Sequence, residues 1–179
     1  MKSRFRSLPL ARVYGLLETG PVVLVTTAGA DRPDVMAQSW HTMMEFEPPL
    51  VGCVFGNGYT FERLMRTKEC VLAIPTARMV RRVVGCGNTS GREVDKFVRF
   101  GLTPLAASRV KAPLIAQCYA NLECRLHDAR LARRYGFVVL EVVKAWIDPA
   151  AKDPKTLHHR GGGRFMVAGR TVRLPSRMK

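Results

Sequence analysis

The feature that most constrains the fold is a series of short β-branched and apolar runs separated by turn residues. Val22–Thr27, Val35–Trp40 and Leu50–Phe55 are the first three, and Gly, Pro, Asp or Asn residues stand between them. Runs of this length and composition predict strands. Later runs of the same kind are Val71–Ile74, Leu122–Leu126, Phe137–Val143, Arg164–Val167 and Thr171–Leu174. The last two predict a terminal hairpin around Ala168-Gly169.

Helical periodicity is confined to short segments. Thr60–Thr67 has apolar residues at helical spacing, and Ala77–Val84 reads as a basic amphipathic helix. Ser90 and Glu93 have the spacing of a capping box, which predicts a third helix that begins at Ser90. That helix is expected to bury Val94, Phe97 and Val98 and to end at Gly101.

The order of these elements indicates a mainly β fold. Seven or eight short strands do not alternate with long helices, which disfavours a doubly wound parallel sheet. A closed or split antiparallel barrel is the natural way to remove exposed sheet edges. The chain has 179 residues, and we expect one domain with a core over about 8–167 and a basic tail over 168–179.

The net charge of +15 indicates affinity for anionic partners, such as a nucleotide cofactor, a nucleic acid or an acidic protein. A basic, well-solvated surface is the alternative for most individual charges. The longest apolar runs are shorter than the ~20 residues that a membrane-spanning helix needs. We therefore expect no membrane association.

The five cysteines form no CxxC pair and have no zinc-ligand spacing. Cys53, Cys70 and Cys124 lie inside apolar runs and are expected to be buried. Cys86 lies between two glycines and is the cysteine that we expect nearest to a ligand, although a structural role fits it as well. Reduced thiols predict a cytoplasmic protein.

Two glycine-rich segments resemble known motifs without matching them. Gly85–Gly91 reads GxGxxxG, which is one residue longer than the dinucleotide fingerprint and follows a predicted helix instead of a strand. His158–Gly163 could form a flexible loop that faces a ligand. Two adjacent histidines without a third ligand at useful spacing do not predict a metal site.

Polar residues recur at the predicted helix starts in a pattern that suits a phosphate. A phosphate prefers amides at a helix N-terminus, with hydroxyl donors and a cation nearby. Thr60 follows Gly58 at one helix start, Ser90 stands at another with Lys96 within two turns, and Ser39 adds a hydroxyl from a strand. Individually Thr60 and Ser90 fit ordinary caps. As a set these residues favour an anionic ligand.

Aromatic residues near these segments could form flat apolar walls. Trp40 ends a predicted strand and could pack against a planar ring. Phe97 and Phe165 are weaker candidates of the same kind. Each of the three also fits a core position.

Together, four runs resemble the flavin reductase-like family, the FMN-binding split-barrel group that includes flavoredoxins. The runs are Pro21–Thr27, Met36–Trp40, Tyr59–Phe61 and Ser90–Phe97. The last, with Ser-Gly-Arg-x-x-Asp-Lys-Phe, is the most specific. The resemblance covers about residues 8–167.

The resemblance implies an antiparallel split β-barrel of Greek-key type, usually a homodimer with FMN near the subunit interface. It implies FMN contacts from Ser39, Trp40, Thr60, Ser90 and Lys96. The full set of expected FMN-site residues is Met36, Ala37, Gln38, Ser39, Trp40, Phe55, Gly56, Asn57, Tyr59, Thr60, Ser90, Gly91, Lys96, Phe97 and Phe165. Tyr135 stands where many relatives have a histidine that faces the flavin.

The resemblance implies an FMN-dependent oxidoreductase that passes a hydride or electrons from NAD(P)H to a flavin, a small molecule or a redox protein. No catalytic side chain is predicted, because a flavin itself carries the reaction. The choice between NADH and NADPH stays open. One alternative is a non-enzymatic FMN electron carrier that a protein partner reduces. Another is a nucleic-acid-binding module, which is based on charge alone.

Overall fold

The structure is a computed structural model that describes residues 20–172 and 174–175. Two predictions fall partly outside the described residues. They are the start of the core, from Leu8 to residue 19, and the basic tail at residues 173 and 176–179.

The fold is built mainly from β-strands. The longer strands are β1 (Val23–Thr27), β2 (Asp34–Gln38), β3 (His41–Phe46), β4 (Pro49–Val54), β5 (Glu69–Ile74), β8 (Ala120–Asp128) and β9 (Phe137–Ile147). They form one sheet in the order β2-β1-β5-β8-β9-β4-β3, and every neighbouring pair is antiparallel. The short strands are β6 (Pro104–Leu105), β7 (Leu114–Ile115), β10 (Leu157–His159) and β11 (Phe165–Val167). They pair as β6 with β7 and β10 with β11.

The helices are short and lie between strands. They are α1 (Tyr59–Thr67), α2 (Val80–Asn88), α3 (Lys96–Arg99) and α4 (Ala132–Tyr135), and a 3-10 turn (Ala77–Met79) leads into α2. Among the described residues, no helix has the length and apolar composition needed to cross a bilayer. The predicted mainly β, antiparallel class is confirmed.

The sheet does not close through strand pairing between its two edges, β2 and β3. These edges are consecutive in the chain and are joined at Ser39 and Trp40. The Val54 amide donates to the Trp40 carbonyl over 2.9 Å, and the His41 ring Nε2 lies 2.7 Å from the Pro21 carbonyl. The first bond extends the pairing of β3 with β4 to Trp40, and the second ties the start of β3 to the segment that leads into β1.

Two hydrophobic clusters cover the two faces of the sheet, because successive strand residues point to opposite sides. In β1, Leu24 packs in one cluster with residues of α2, while Val23 and Val25 pack in the other. Cys53, Cys70 and Cys124 are buried in this second cluster as free thiols, which confirms their predicted burial.

One buried carboxylate, Glu123, fixes the segment that precedes β7. It accepts hydrogen bonds from the amides of Ser108, Arg109 and Val110 and from the Trp146 indole at 2.7 Å. Burial raises the pKa of the Glu123 carboxyl, but bonds from the Ser108 amide, the indole and the Arg109 amide lower it by more. Its pKa therefore lies below the ordinary value of 4.5.

The predicted terminal hairpin is wrong. β11 pairs with β10 instead, and Thr171, Val172 and Leu174 form no strand. Three glycines at 161–163 have positive φ angles of 78°, 58° and 71°, which glycine adopts without a steric penalty, and they make the turn between the two strands. The Val22 amide donates to the Leu157 carbonyl over 2.7 Å and holds β10 beside β1.

The helix predicted from Ser90 is much shorter than expected. It spans only Lys96–Arg99, and Asp95 is its N-cap, since its carboxylate accepts from the Val98 amide over 3.1 Å. The Glu93 amide bonds the Ser90 carbonyl in a turn instead of a capping box. Val98 is 79% exposed, so its predicted burial is also wrong.

Candidate cofactor site

Two adjacent cavities open where β2, α1 and α2 meet. The helix-end cavity, of about 400 Å³, is lined by Met36, Ala37, Gly56, Asn57, Gly58, Tyr59, Thr60, Cys86, Gly87, Asn88, Thr89, Ser90, Gly91 and Lys96. The hairpin cavity, of about 360 Å³, is lined by Val22, Ala37, Gln38, Ser39, Val83, Val84, Gly87, Asn88, His159, Gly163 and Phe165. Ala37, Gly87 and Asn88 belong to both, so the two cavities adjoin, and together they are called the groove.

The N-terminus of α1 opens into the helix-end cavity. Its cap is Gly58, which makes no side-chain cap bond. The first intrahelical bond runs from the Glu62 amide to the Gly58 carbonyl over 3.0 Å. The amides of Tyr59, Thr60 and Phe61 therefore have no partner within the helix. Such a helix end attracts anions, because it combines free N–H donors with the positive end of the helix dipole.

Lys96 brings a cation to the same cavity from the start of α3. Its side chain is only 3% exposed, and Nζ lies 3.3 Å from Asp34 Oδ1. Nζ also donates to the Cys86 carbonyl over 3.4 Å. An ammonium group has three N–H donors, so one is left for a ligand in the cavity.

Asp34, the first residue of β2, is a buried carboxylate that the sequence analysis did not identify. Its Oδ2 accepts a hydrogen bond from Thr60 Oγ1 over 2.6 Å. A Cβ atom on Gly91 would lie 2.0 Å from Asp34 Oδ1, closer than any real contact. Glycine is therefore required at position 91 by the close approach of Asp34.

Two arginines hold Tyr59, which lines the helix-end cavity. The buried Arg63 donates to the Tyr59 hydroxyl over 2.9 Å and lies 4.9 Å from the ring centroid. Arg92 lies 4.8 Å from the same centroid and pairs with Glu62. The guanidinium group of Arg63 therefore places a positive charge beside the cavity.

Hydroxyl and thiol groups also face this cavity. Ser90 Oγ accepts from the Arg92 amide over 3.2 Å and keeps its own proton for a ligand. Cys86, the cysteine that we expected nearest to a ligand, lines the cavity too. Burial raises the pKa of the Cys86 thiol to about 11, although the charge of Lys96 opposes this shift. At neutral pH the thiol is therefore protonated and is not a nucleophile.

The hairpin cavity has apolar walls and a few polar groups. Val22, Val83, Val84 and Phe165 are the larger apolar side chains in its lining. Gln38 is fixed at the edge, because its Nε2 donates to the Val54 carbonyl over 2.7 Å and its Oε1 accepts from the Ser39 amide. His159 packs its ring 5.3 Å from the Phe165 ring. This combination suits a flat, largely apolar ring with polar edges.

The structure brings most of the predicted site residues to this groove. The predicted residues that line the helix-end cavity are Met36, Ala37, Gly56, Asn57, Tyr59, Thr60, Ser90, Gly91 and Lys96. Those that line the hairpin cavity are Ala37, Gln38, Ser39 and Phe165. Ser39 was expected beside Thr60, Ser90 and Lys96, but it lies in the neighbouring cavity because β2 carries it past Ala37.

Three predicted residues are not among the residues that line the groove. Phe55 and Phe97 are packed in the two core clusters, which is the alternative that the sequence left open for Phe97. Trp40 is 50% exposed at the edge of the sheet. Tyr135, which stands where many relatives have a histidine, is exposed at the end of α4, where Arg134 lies 5.1 Å from its ring centroid.

Several lining or supporting residues were missed. Asp34 and Arg63 gave no signal, since a single charged residue in a strand or a helix is ordinarily exposed. His158 and His159, which we expected in a ligand-facing loop, lie instead in β10, and the ring contact of His159 with Phe165 was not predicted. Within residues 20–172 and 174–175, no three His, Cys, Asp or Glu side chains lie close enough together to hold a metal ion.

Comparison with known proteins shows the family to which the chain belongs. A model of the flavin reductase like domain matches residues 17–166. The uncharacterised protein YddH of Escherichia coli (strain K12) is 33% identical over 185 residues, which covers 95% of this chain and 98% of YddH.

Two solved structures are similar along nearly their whole length. An FMN-binding domain of a flavin reductases-like enzyme from Shewanella baltica OS155 is 26% identical with a TM-score of 0.79, covering 95% of this chain and 97% of that one. The flavoredoxin of Desulfovibrio vulgaris (Miyazaki F) is 22% identical with a TM-score of 0.79, covering 97% of each chain.

The fold and the groove thus define an antiparallel β protein in which the N-terminus of a helix opens beside an apolar cavity. The chain belongs to the flavin reductase-like family.

Proposed function

We propose that this protein binds FMN along the groove and acts as an FMN-dependent oxidoreductase. The observation that carries the proposal is the buried Lys96 beside the uncapped start of α1, next to an apolar cavity. The phosphate of FMN would lie in the helix-end cavity and its ring in the hairpin cavity. The family supports this choice of cofactor, since the similar protein of Shewanella baltica is described as FMN-binding.

The phosphate cradle is the set of donors that would hold the phosphate. It consists of the free amides at the start of α1, the remaining N–H of Lys96 and the Ser90 hydroxyl. Charge-assisted hydrogen bonds of this kind are the strong ones. The flanking guanidinium group of Arg63 adds a favourable field.

The flavin ring would be held in the hairpin cavity mainly by shape complementarity. Phe165, Val83 and Val84 exclude water from one side, and Gln38 and Ser39 offer polar groups at the edge. FMN, when bound, would supply the transfer of a hydride or electrons from NAD(P)H to a flavin, a small molecule or a redox protein. The FMN contacts predicted for Trp40, Phe55 and Phe97 stay predictions.

The cytoplasmic location expected from the reduced thiols also stays a prediction.

Flavin titration tests this proposal. The purified chain should quench FMN fluorescence with a much lower Kd for FMN than for riboflavin, which lacks the phosphate. It should also oxidise NADPH or NADH when FMN and an acceptor are present. FMN binding without turnover of either nucleotide would favour the carrier alternative, and absence of FMN binding would refute the proposal.

We also propose that the protein is a homodimer and that its split barrel opens between β2 and β3. β3 is an edge strand, and it exposes Met43, Met44 and Phe46, the last of them 69% exposed. Exposed apolar edge strands favour association. Light scattering should give the mass of a dimer, and Phe46→Glu should shift it towards the monomer. A monomeric wild-type protein would contradict this proposal.

A further inference from the structure

A second charge stands directly behind the phosphate cradle. The side chain of Asp34 is 2% exposed and does not itself line the cavity, yet both of its oxygens bond groups that do. Oδ2 accepts from Thr60 Oγ1 and Oδ1 pairs with Lys96 Nζ. Thr60 and Lys96 therefore stand between a buried carboxylate and the proposed phosphate.

The first consequence concerns Thr60. A threonine hydroxyl has one proton, and Thr60 donates it to Asp34 over 2.6 Å. Towards the cavity the oxygen can only accept. The expected role of the Thr60 hydroxyl as a phosphate donor is therefore blocked as long as Asp34 holds its proton.

The second consequence concerns charge. Asp34 compensates the charge of Lys96, so the pair as a whole presents no net positive charge to a phosphate monoester that carries about −1.5 to −2. Both side chains are buried, where charges are poorly screened by solvent. The carboxylate therefore opposes the anion that Lys96 attracts.

We propose that Asp34 lowers the affinity of the phosphate cradle for FMN and speeds FMN release, by neutralising Lys96 and by holding the Thr60 proton. The inference rests on the proposed function. Asp34 acts through its two neighbours, so it is a positioning residue and does not touch the cofactor. The site is thereby suited to a flavin that exchanges.

The test is Asp34→Asn in the full-length protein. The new amide can donate to Thr60 Oγ1, which frees the hydroxyl proton for the phosphate, and its oxygen can still accept from Lys96. The Kd for FMN should fall by at least about tenfold, because one buried negative charge is removed near the anion. The FMN dissociation rate should fall with it, while the Kd for riboflavin should change by less than about threefold.

Glu123→Gln is the matched control. It also neutralises a buried, hydrogen-bonded carboxylate, but Glu123 lies outside the residues that line the groove. It should lower stability without changing the ratio of the FMN and riboflavin Kd values. That ratio separates a charge effect on the phosphate from a general loss of structure.

A second variant keeps the inference testable if Asp34→Asn does not fold. Thr60→Val should weaken FMN binding by less than about threefold, because the hydroxyl proton is already engaged by Asp34. Tenfold weaker FMN binding in Thr60→Val, or unchanged or weaker FMN binding in a folded Asp34→Asn, would overturn the inference but leave the proposed function standing. A wild-type protein that binds FMN no better than riboflavin would overturn both.

Discussion

Replacement of Lys96 by glutamine tests the phosphate cradle most sharply. Glutamine keeps much of the length of the side chain and removes its charge. The variant should lose one charge-assisted contact to the phosphate, worth about 1.5–3 kcal/mol. This corresponds to an increase of roughly 10- to 150-fold in the Kd for FMN. Riboflavin has no phosphate, so its Kd should stay close to the wild-type value.

The same substitution should also destabilise the protein, because Asp34 would be left buried without its cation. Breaking a buried ion pair by removing one partner costs about 3–5 kcal/mol. Urea unfolding without flavin measures this loss, and fluorescence titration with each flavin at low temperature measures the affinities. Added FMN should stabilise the variant less than the wild-type protein.

Lys111→Gln is the matched control, since it removes the same charge from an exposed side chain. The Lys111 backbone amide, which donates to Glu69, is unaffected by the substitution. It should bind FMN as the wild-type protein does at the same ionic strength. If Lys96→Gln binds FMN with wild-type affinity, or if riboflavin binding falls in proportion, Lys96 does not hold the phosphate.

Two further predictions concern buried groups that support the fold. Gly91→Ala should lower the free energy of unfolding by about 1–3 kcal/mol, as overpacking does, because the new Cβ would lie 2.0 Å from Asp34 Oδ1. Gly169→Ala is the control and should leave the free energy of unfolding unchanged, because a Cβ there meets nothing within 4 Å. Glu123→Gln should destabilise by about 2–4 kcal/mol at pH 7, because hydrogen bonds to a charged group are weakened. Since the folded pKa of Glu123 is lowered, this difference should be complete above about pH 4.5 and should shrink as the pH falls through the folded pKa. Equal stability of Gly91→Ala and Gly169→Ala, or a Glu123→Gln difference that grows at acid pH, would contradict this reasoning.

Strands with a buried face could be predicted from the sequence. The expected strand Leu50–Phe55 matches β4 to within one residue at each end, because its alternate apolar residues Val51 and Cys53 pack in one core cluster. β3 was missed because it lies at a sheet edge with most of its residues exposed, so its sequence carries no alternation. The capping-box pattern at Ser90 failed because Asp95, closer to the helical residues, supplies the cap.

For the site, the sequence predicted residues but not their partners. Lys96, Thr60 and Ser90 could be found because glycines and hydroxyls cluster around the helix starts that the sequence predicts, although the helix predicted from Ser90 begins only at Lys96. Asp34 could not, since its contacts with Thr60 and Lys96 join segments that are distant in sequence. The placement of Ser39 in the neighbouring cavity likewise depends on the path of β2, which no local pattern encodes.

The central claim is that the start of α1 and Lys96 together hold a phosphate. A crystal structure of the protein with FMN tests it most directly. We expect the phosphate within hydrogen-bond distance of Lys96 Nζ and of the amides of Tyr59 and Thr60, with the ring against Phe165 and Val84. A phosphate bound away from the helix-end cavity would contradict the claim.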